Sequence, residues 1–154
     1  MKHQIIFPVL CVIIAVFTIR DSAGEPLPNM VFLMSDDQGW GDVGYNGHPK
    51  IKTPNLDSMA AAGIRFDRFY AGASVCSPTR ASCLTGRSNW RVNMNSPMAA
   101  HQGHLPSEEI TIAELLKKQG YATACVGKWH LGHQKQFLPT SQGFDYYYGI
   151  PFSN

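Results

Sequence analysis

Ser74-Val75-Cys76-Ser77-Pro78-Thr79-Arg80-Ala81-Ser82-Cys83-Leu84-Thr85-Gly86-Arg87 is the stretch from which the rest of the chain can be read. A proline in the first turn of a helix loses no hydrogen bond, because the N–H it lacks would have no intrahelical partner there. Pro78 therefore predicts a helix running toward Leu84, with Cys76 just ahead of its N-terminus. Free N–H groups and the helix dipole favour an anion at such a place. Arg80, about one turn in, offers a forked pair of donors that matches an oxyanion. A nucleophile beside an oxyanion-binding helix start suits attack on a sulfate or phosphate ester. The plainer alternatives are a cysteine that only packs and an arginine that is an ordinary surface charge.

Upstream, Asn29-Met30-Val31-Phe32-Leu33-Met34-Ser35 is a short apolar run of the kind expected for a strand buried on both faces. It stops at Asp36-Asp37 and a loop marked by Gly39, Gly41, Gly44 and Gly47. Two adjacent carboxylates repel one another unless a positive group lies between them, and hard cations such as Ca²⁺ or Mg²⁺ take oxygen ligands of this type. Alone, the doublet fits a ligand pair or a solvated turn equally well. A short helix is expected from Pro54, with Thr53 as cap and Gly63 as stop, followed by a strand from Ile64 to Tyr70.

Downstream, Ser107 is read as a cap before Glu108-Glu109. Ile110, Ala113 and Leu116 mark an amphipathic helix whose acidic start and Lys117-Lys118 end complement its dipole. A strand over 121–127 follows and ends in Lys128-Trp129-His130. A lysine supplies a point charge for an oxyanion oxygen, and a histidine moves protons near neutral pH. Spaced by two on an extended chain, they are expected to point the same way. Two predicted strands thus end in charged clusters, and sites in open α/β sheets form outside the carboxyl ends of strands. His48, His101, His104 and His133 lack such a setting and are read as loop or surface residues.

The 154 residues suffice for roughly one domain, and their 44% hydrophobic and 16% charged content is an ordinary globular balance. A net charge of +2 is too small to suggest a nucleic-acid partner, and no Lys/Arg run supports one. Residues 1–24 have the three parts of a secretory signal peptide: Met1-Lys2-His3, an apolar run from Ile5 to Ile19, and small residues up to a cut placed after Gly24. The run is shorter than the roughly 18 residues of a membrane span, so no stable span is expected after cleavage. Residues 25–154 then keep Cys76, Cys83 and Cys125. An odd thiol count in an oxidising compartment points to one chemically distinct cysteine, with Cys83 and Cys125 as small buried residues.

Taken together, these motifs resemble the formylglycine-dependent type I sulfatases. Cys76-Ser77-Pro78-Thr79-Arg80 with Leu84-Thr85-Gly86 is similar to the first sulfatase signature. Gly120-Tyr121 through Gly127-Lys128-Trp129-His130-Leu131-Gly132 resembles the second. Asp36-Asp37 with Gly39-Trp40-Gly41-Asp42 resembles the opening metal motif, and Thr53 to Asp57 and Gly149 to Ser153 fit as well. The likeness covers about residues 28–154 and is strongest to the arylsulfatase A and N-acetylgalactosamine-6-sulfatase branch. Cys83 departs from it, standing where a larger apolar residue is usual.

The resemblance implies an α/β fold: the N-terminal part of an alkaline-phosphatase-like sulfatase domain, with a mostly parallel sheet flanked by helices, incomplete in this chain. It implies that Cys76 is oxidised to formylglycine by the formylglycine-generating enzyme. One hydroxyl of the hydrated aldehyde attacks sulfur and the second releases sulfate. Asp36 and Asp37, with the residue at Cys76, would hold Ca²⁺ or Mg²⁺. Lys128 would neutralise sulfate oxygens, Arg80 would orient the formylglycine, His130 would assist elimination, and Ser153 would contact substrate. The implied substrate is a sulfated small molecule, glycan or lipid, met in the lysosome or outside the cell. The resemblance further implies a longer parent protein, without which this chain has no activity. The rival readings are a formylglycine-dependent phosphoester or phosphonate hydrolase and a truncated secreted product that binds sulfate without turnover.

Overall fold

The computed structural model describes residues 27–98 and 103–153, so the signal-peptide reading of residues 1–24 lies outside the described residues. The chain divides into two units, 1–34 and 35–154. In the first, the described residues form neither helix nor strand, and Val31, Phe32 and Leu33 are exposed. The strand expected over 29–35 is therefore not formed. An extended apolar segment becomes a strand only when a neighbour takes its N–H and C=O groups, and among the described residues no strand pairs with it.

In the second unit, a 3₁₀ turn at Gly44–Asn46 precedes α1, Pro54–Ala62. Thr53 stands at the N-cap position, but its hydroxyl does not cap the helix. It accepts from the Gly44 N–H (2.7 Å) and donates to Asp57 Oδ1 (2.8 Å), which also accepts from the Tyr45 N–H (2.8 Å). The expected cap thus ties α1 to the preceding turn. Residues 64–70 carry no strand, contrary to expectation, and Ile64, Phe66, Phe69 and Tyr70 are exposed.

The next helix, α2, runs Cys76–Thr85. Cys76 is its first residue rather than one ahead of it, with Val75 at the N-cap, and Gly86 closes it in the left-handed conformation (φ 66°). Buried Ser77, Pro78 and Ala81 form its inner face. The third helix, α3, runs Ile112–Lys118 and begins later than expected. Its cap is Thr111 and not Ser107: Thr111 Oγ1 accepts from the Glu114 N–H (3.3 Å), and Glu114 Oε2 accepts from the Thr111 N–H (2.7 Å). This capping box needs an acid three residues after the cap. Thr111 has Glu114 there, whereas Ser107 has Ile110.

The strand expected over 121–127 appears as β1, Ala124–Lys128. It pairs in parallel with β2, Tyr146–Ile150, which the sequence reading passed over. Gly127 lies opposite Gly149, where the backbones come so close that a Cβ on Gly149 would collide with Gly127. Cys125 and Tyr147 share the face that packs on a core of Ala81, Val92, Met94, Met98, Leu105, Trp129 and Leu131, while Val126 and Tyr148 on the other face are exposed. The second unit is thus a small α/β assembly whose parallel strand pair and α2 enclose one core. Among the described residues no helix is long and apolar enough to cross a membrane.

Candidate active site

Three residues far apart in sequence meet where β1 ends. Lys128, the last residue of β1, sets its Nζ 2.7 Å from Asp36 Oδ2. Arg80, one turn into α2, brings Nη2 to 3.7 Å from Asp36 Oδ1 and donates from Nη1 to the Lys128 carbonyl at 2.5 Å. The arginine thereby links the carboxylate to the strand end. The Arg80 and Lys128 side chains are only 12% and 13% exposed, so water screens them poorly. The hydrogen bond from Lys128, reinforced by the charges of Lys128 and Arg80, outweighs burial and holds the Asp36 carboxyl below its ordinary range. Two nearly buried cations face one carboxylate, and Arg80 Nε is a buried donor with no hydrogen-bond partner. An excess of positive charge with an unused N–H is a setting for a further anion.

His130 lies two residues beyond β1. Its N–H donates to the Pro151 carbonyl (3.2 Å), as that of Trp129 does to Ile150 (2.9 Å), so chain pairing continues past the strands. His130 itself is left-handed (φ 56°). The alternation that was to point Lys128 and His130 the same way therefore does not carry through, because it holds only for extended backbone. The His130 ring is buried, edge-on to Phe152 at 5.2 Å between centroids, with Nε2 3.2 Å from the Met98 carbonyl oxygen. Burial, more than the neighbouring Lys128 and Arg80 charges, pushes its pKa down against the opposing hydrogen bond to Met98, so the ring is neutral at pH 7.

Cys76 is half-buried at the start of α2, and Cys76, Cys83 and Cys125 are free thiols. Burial raises the thiol pKa of Cys83 and of Cys125, which leaves both protonated and unreactive. Asp37 is exposed and left-handed (φ 51°), and takes no part in the Asp36 ion pairs. Ser153 follows Phe152, half-buried and outside the hydrogen-bonded cluster. The structure thus joins Asp36, Arg80 and Lys128, sets His130 beside them in sequence with its own anchors, and gives Asp37 and Ser153 no part in these ion pairs. Sequence reasoning missed Ser77, the Met98 backbone and Phe152. A buried serine next to Cys76 carried no signal of its own, and Met98 contributes only backbone atoms.

Among the described residues no three Asp, Glu, His or Cys side chains gather to hold a metal ion. The Asp36 carboxylate faces an ammonium and a guanidinium instead. Asp36 and Asp37 supply carboxylate oxygens of the kind a hard cation takes, but only part of the roughly six to eight ligands that Ca²⁺ holds.

A helix start and a strand end thus bring two cations together beside a buried N–H that has no hydrogen-bond partner. Residues 28–153 match the Sulfatase family model. Mouse arylsulfatase G is 50% identical over 139 residues, which are 90% of this chain and 26% of that protein. Mouse N-acetylgalactosamine-6-sulfatase is 47% identical over 140 residues, covering 84% of this chain and 27% of the relative. A crystal structure of Ps i-CgsB superposes with a TM-score of 0.72 at 38% identity, covering 77% of this chain and 27% of that one. The chain belongs to the Sulfatase family. It spans about a quarter of the length of the curated relatives it matches, and it corresponds to their N-terminal part.

Proposed function

We propose that this chain supplies the nucleophile side of a sulfuric ester hydrolase of the arylsulfatase kind, with residues 25–154 as the N-terminal portion of its catalytic domain and residues 1–24 as a signal peptide. The observation that carries the reading is the meeting of Arg80, Lys128 and Asp36, with two poorly screened cations and one unpartnered guanidinium N–H. Such a locus attracts the oxygens of a sulfate monoester, whose charge spreads as the ester bond breaks.

Each residue then has a task. Cys76, at the first turn of α2, is the position converted by the formylglycine-generating enzyme in the secretory pathway. Formylglycine supplies a hydrated aldehyde, one of whose hydroxyls is the nucleophile while the other allows sulfate to leave. Arg80 holds the start of α2 against the end of β1 through the Lys128 carbonyl and orients the group at position 76. Lys128 and Ser153 contact substrate. His130, neutral and shielded from water, accepts a proton during sulfate release. Asp36 and Asp37 are carboxylates for a divalent cation, Ca²⁺ or Mg²⁺, whose remaining ligands would come from the larger part of a sulfatase that this chain does not span. The substrate is a sulfated small molecule, glycan or lipid, met in the lysosome or outside the cell, and residues 1–154 alone are inactive.

The test is mass spectrometry of the peptide containing Cys76 after expression in a secretory host. Sulfur replaced by an aldehyde oxygen is expected, and an unmodified thiol throughout would sink the reading. Turnover of aryl sulfate against aryl phosphate by the full-length protein then separates a sulfatase from a phosphoester hydrolase.

A further inference from the structure

We propose that Ser77 is a positioning residue for His130, acting through the backbone of Met98, and that the two hold the His130 ring as the Nε2–H tautomer with the Nδ1 lone pair left available. The proposal rests on the reading of His130 as the proton acceptor of the site and adds the atom that accepts and the residue that selects it.

The geometry is a relay of two buried hydrogen bonds. Ser77 Oγ accepts from the Met98 N–H at 3.1 Å, and the Met98 carbonyl oxygen lies 3.2 Å from His130 Nε2. Ser77, Met98 and His130 are all buried, at 0%, 6% and 2% exposure, so water does not compete for either bond. A carbonyl oxygen can only accept, so the ring nitrogen facing it carries the hydrogen. In a neutral imidazole the other nitrogen then keeps its lone pair. That atom, His130 Nδ1, is buried and has no hydrogen-bond partner among the described residues. A buried acceptor left unpaired costs free energy, and such sites persist where a partner arrives during function.

The ring has contacts besides the Met98 carbonyl. Phe152 stands edge-on to it at 5.2 Å, and its backbone is pinned in the left-handed region by the bond to the Pro151 carbonyl. Its tautomer is therefore set by where the Met98 carbonyl points. The Met98 N–H, on the other side of the same residue, is anchored by the Ser77 hydroxyl alone among the described side chains. Ser77 directly follows Cys76 in the first turn of α2, so one hydroxyl ties the register of the nucleophile position to the tautomer of the proton acceptor.

The experiment uses the full-length protein with ¹⁵N-labelled histidine, His130 being assigned by comparison with His130→Gln. Long-range ¹H–¹⁵N correlations distinguish a protonated from an unprotonated ring nitrogen. Wild type is expected to show protonated Nε2 and unprotonated Nδ1. Ser77→Ala is expected to add a population protonated at Nδ1. Its kcat should fall about tenfold with KM within about twofold, the scale seen when a partner orienting a functional histidine is lost. Ser77→Thr, which keeps the hydroxyl, should restore both readouts. Rates are normalised to the converted fraction at position 76, because Ser77 lies inside the modified motif. A wild-type ring protonated at Nδ1 overturns the proposal even if every variant misfolds, and so does a Ser77→Ala ring that stays wholly Nε2–H. A wild type without sulfatase activity but with the expected ring signature overturns the functional reading and leaves the relay standing.

Discussion

Phe66, Phe69 and Tyr70 stand at 70–83% exposure, whereas Val92, Leu105 and Leu131 stand at 0–1%. Both sets belong to the unit 35–154, and their side chains are comparably apolar. The second set lies where β1, β2 and α2 close around it, with Trp129 and Phe144 packed edge to face at 6.1 Å between centroids. The first set lies in a segment with neither helix nor strand. Apolar character states only that burial would be favourable; an opposing surface must exist before any area leaves water. The chemistry follows the same division. Arg80, Lys128 and His130 sit on or directly after the elements that close the core, and burial there lowers the pKa of the His130 ring.

The sharpest way to break this contrast is at the nucleophile. In the full-length protein, Cys76→Ala is expected to lower sulfate ester hydrolysis by at least about 10³-fold, and substantial residual turnover would remove Cys76 from the chemistry. Arg80→Lys keeps the charge but loses the fork that reaches both Asp36 and the Lys128 carbonyl. A loss of about 10²-fold in kcat is expected, and near-wild-type kinetics would show that the fork is dispensable.

Stability separates the two regions directly. Leu105→Ala should destabilise by about 2–5 kcal/mol, as for a fully enclosed leucine. Phe69→Ala should stay within about 0.5 kcal/mol. Urea unfolding of the full-length protein measures both, and equal costs would erase the distinction. The smallest effect is a pH dependence. The folded Asp36 carboxyl titrates below its ordinary value of 3.8, chiefly because Lys128 donates to it. Its stabilising contribution is therefore fully present above that value and is lost as pH falls through the lower folded value. Asp36→Asn should flatten the acid limb of a stability–pH curve, and an unchanged limb would show that the ion pair contributes nothing measurable.

Much of this was legible in residue order. Pro54 and Gly63 bracketed α1, Pro78 marked the first turn of α2, and Lys117-Lys118 marked the end of α3, because caps and breakers act within a few residues. Legible too, though passed over, was the Thr111–Glu114 capping box, and Tyr146-Tyr147-Tyr148 has the aromatic content of a strand. The strands expected over 29–35 and 64–70 misled because a ladder depends on a partner that no local window contains.

By itself the sequence determined which chemical groups are present and in what order: a cysteine one turn ahead of an arginine, a carboxylate doublet, and a lysine and histidine two apart. Those follow from covalent order and short-range helix chemistry. Only the tertiary structure decided that Asp36 pairs with Lys128 across 92 positions of chain, that Arg80 reaches the Lys128 carbonyl, and that Met98 lies between Ser77 and His130. The reason is physical: each of these contacts joins groups far apart in the chain, and only the closing of separate elements over one place brings them within hydrogen-bonding reach.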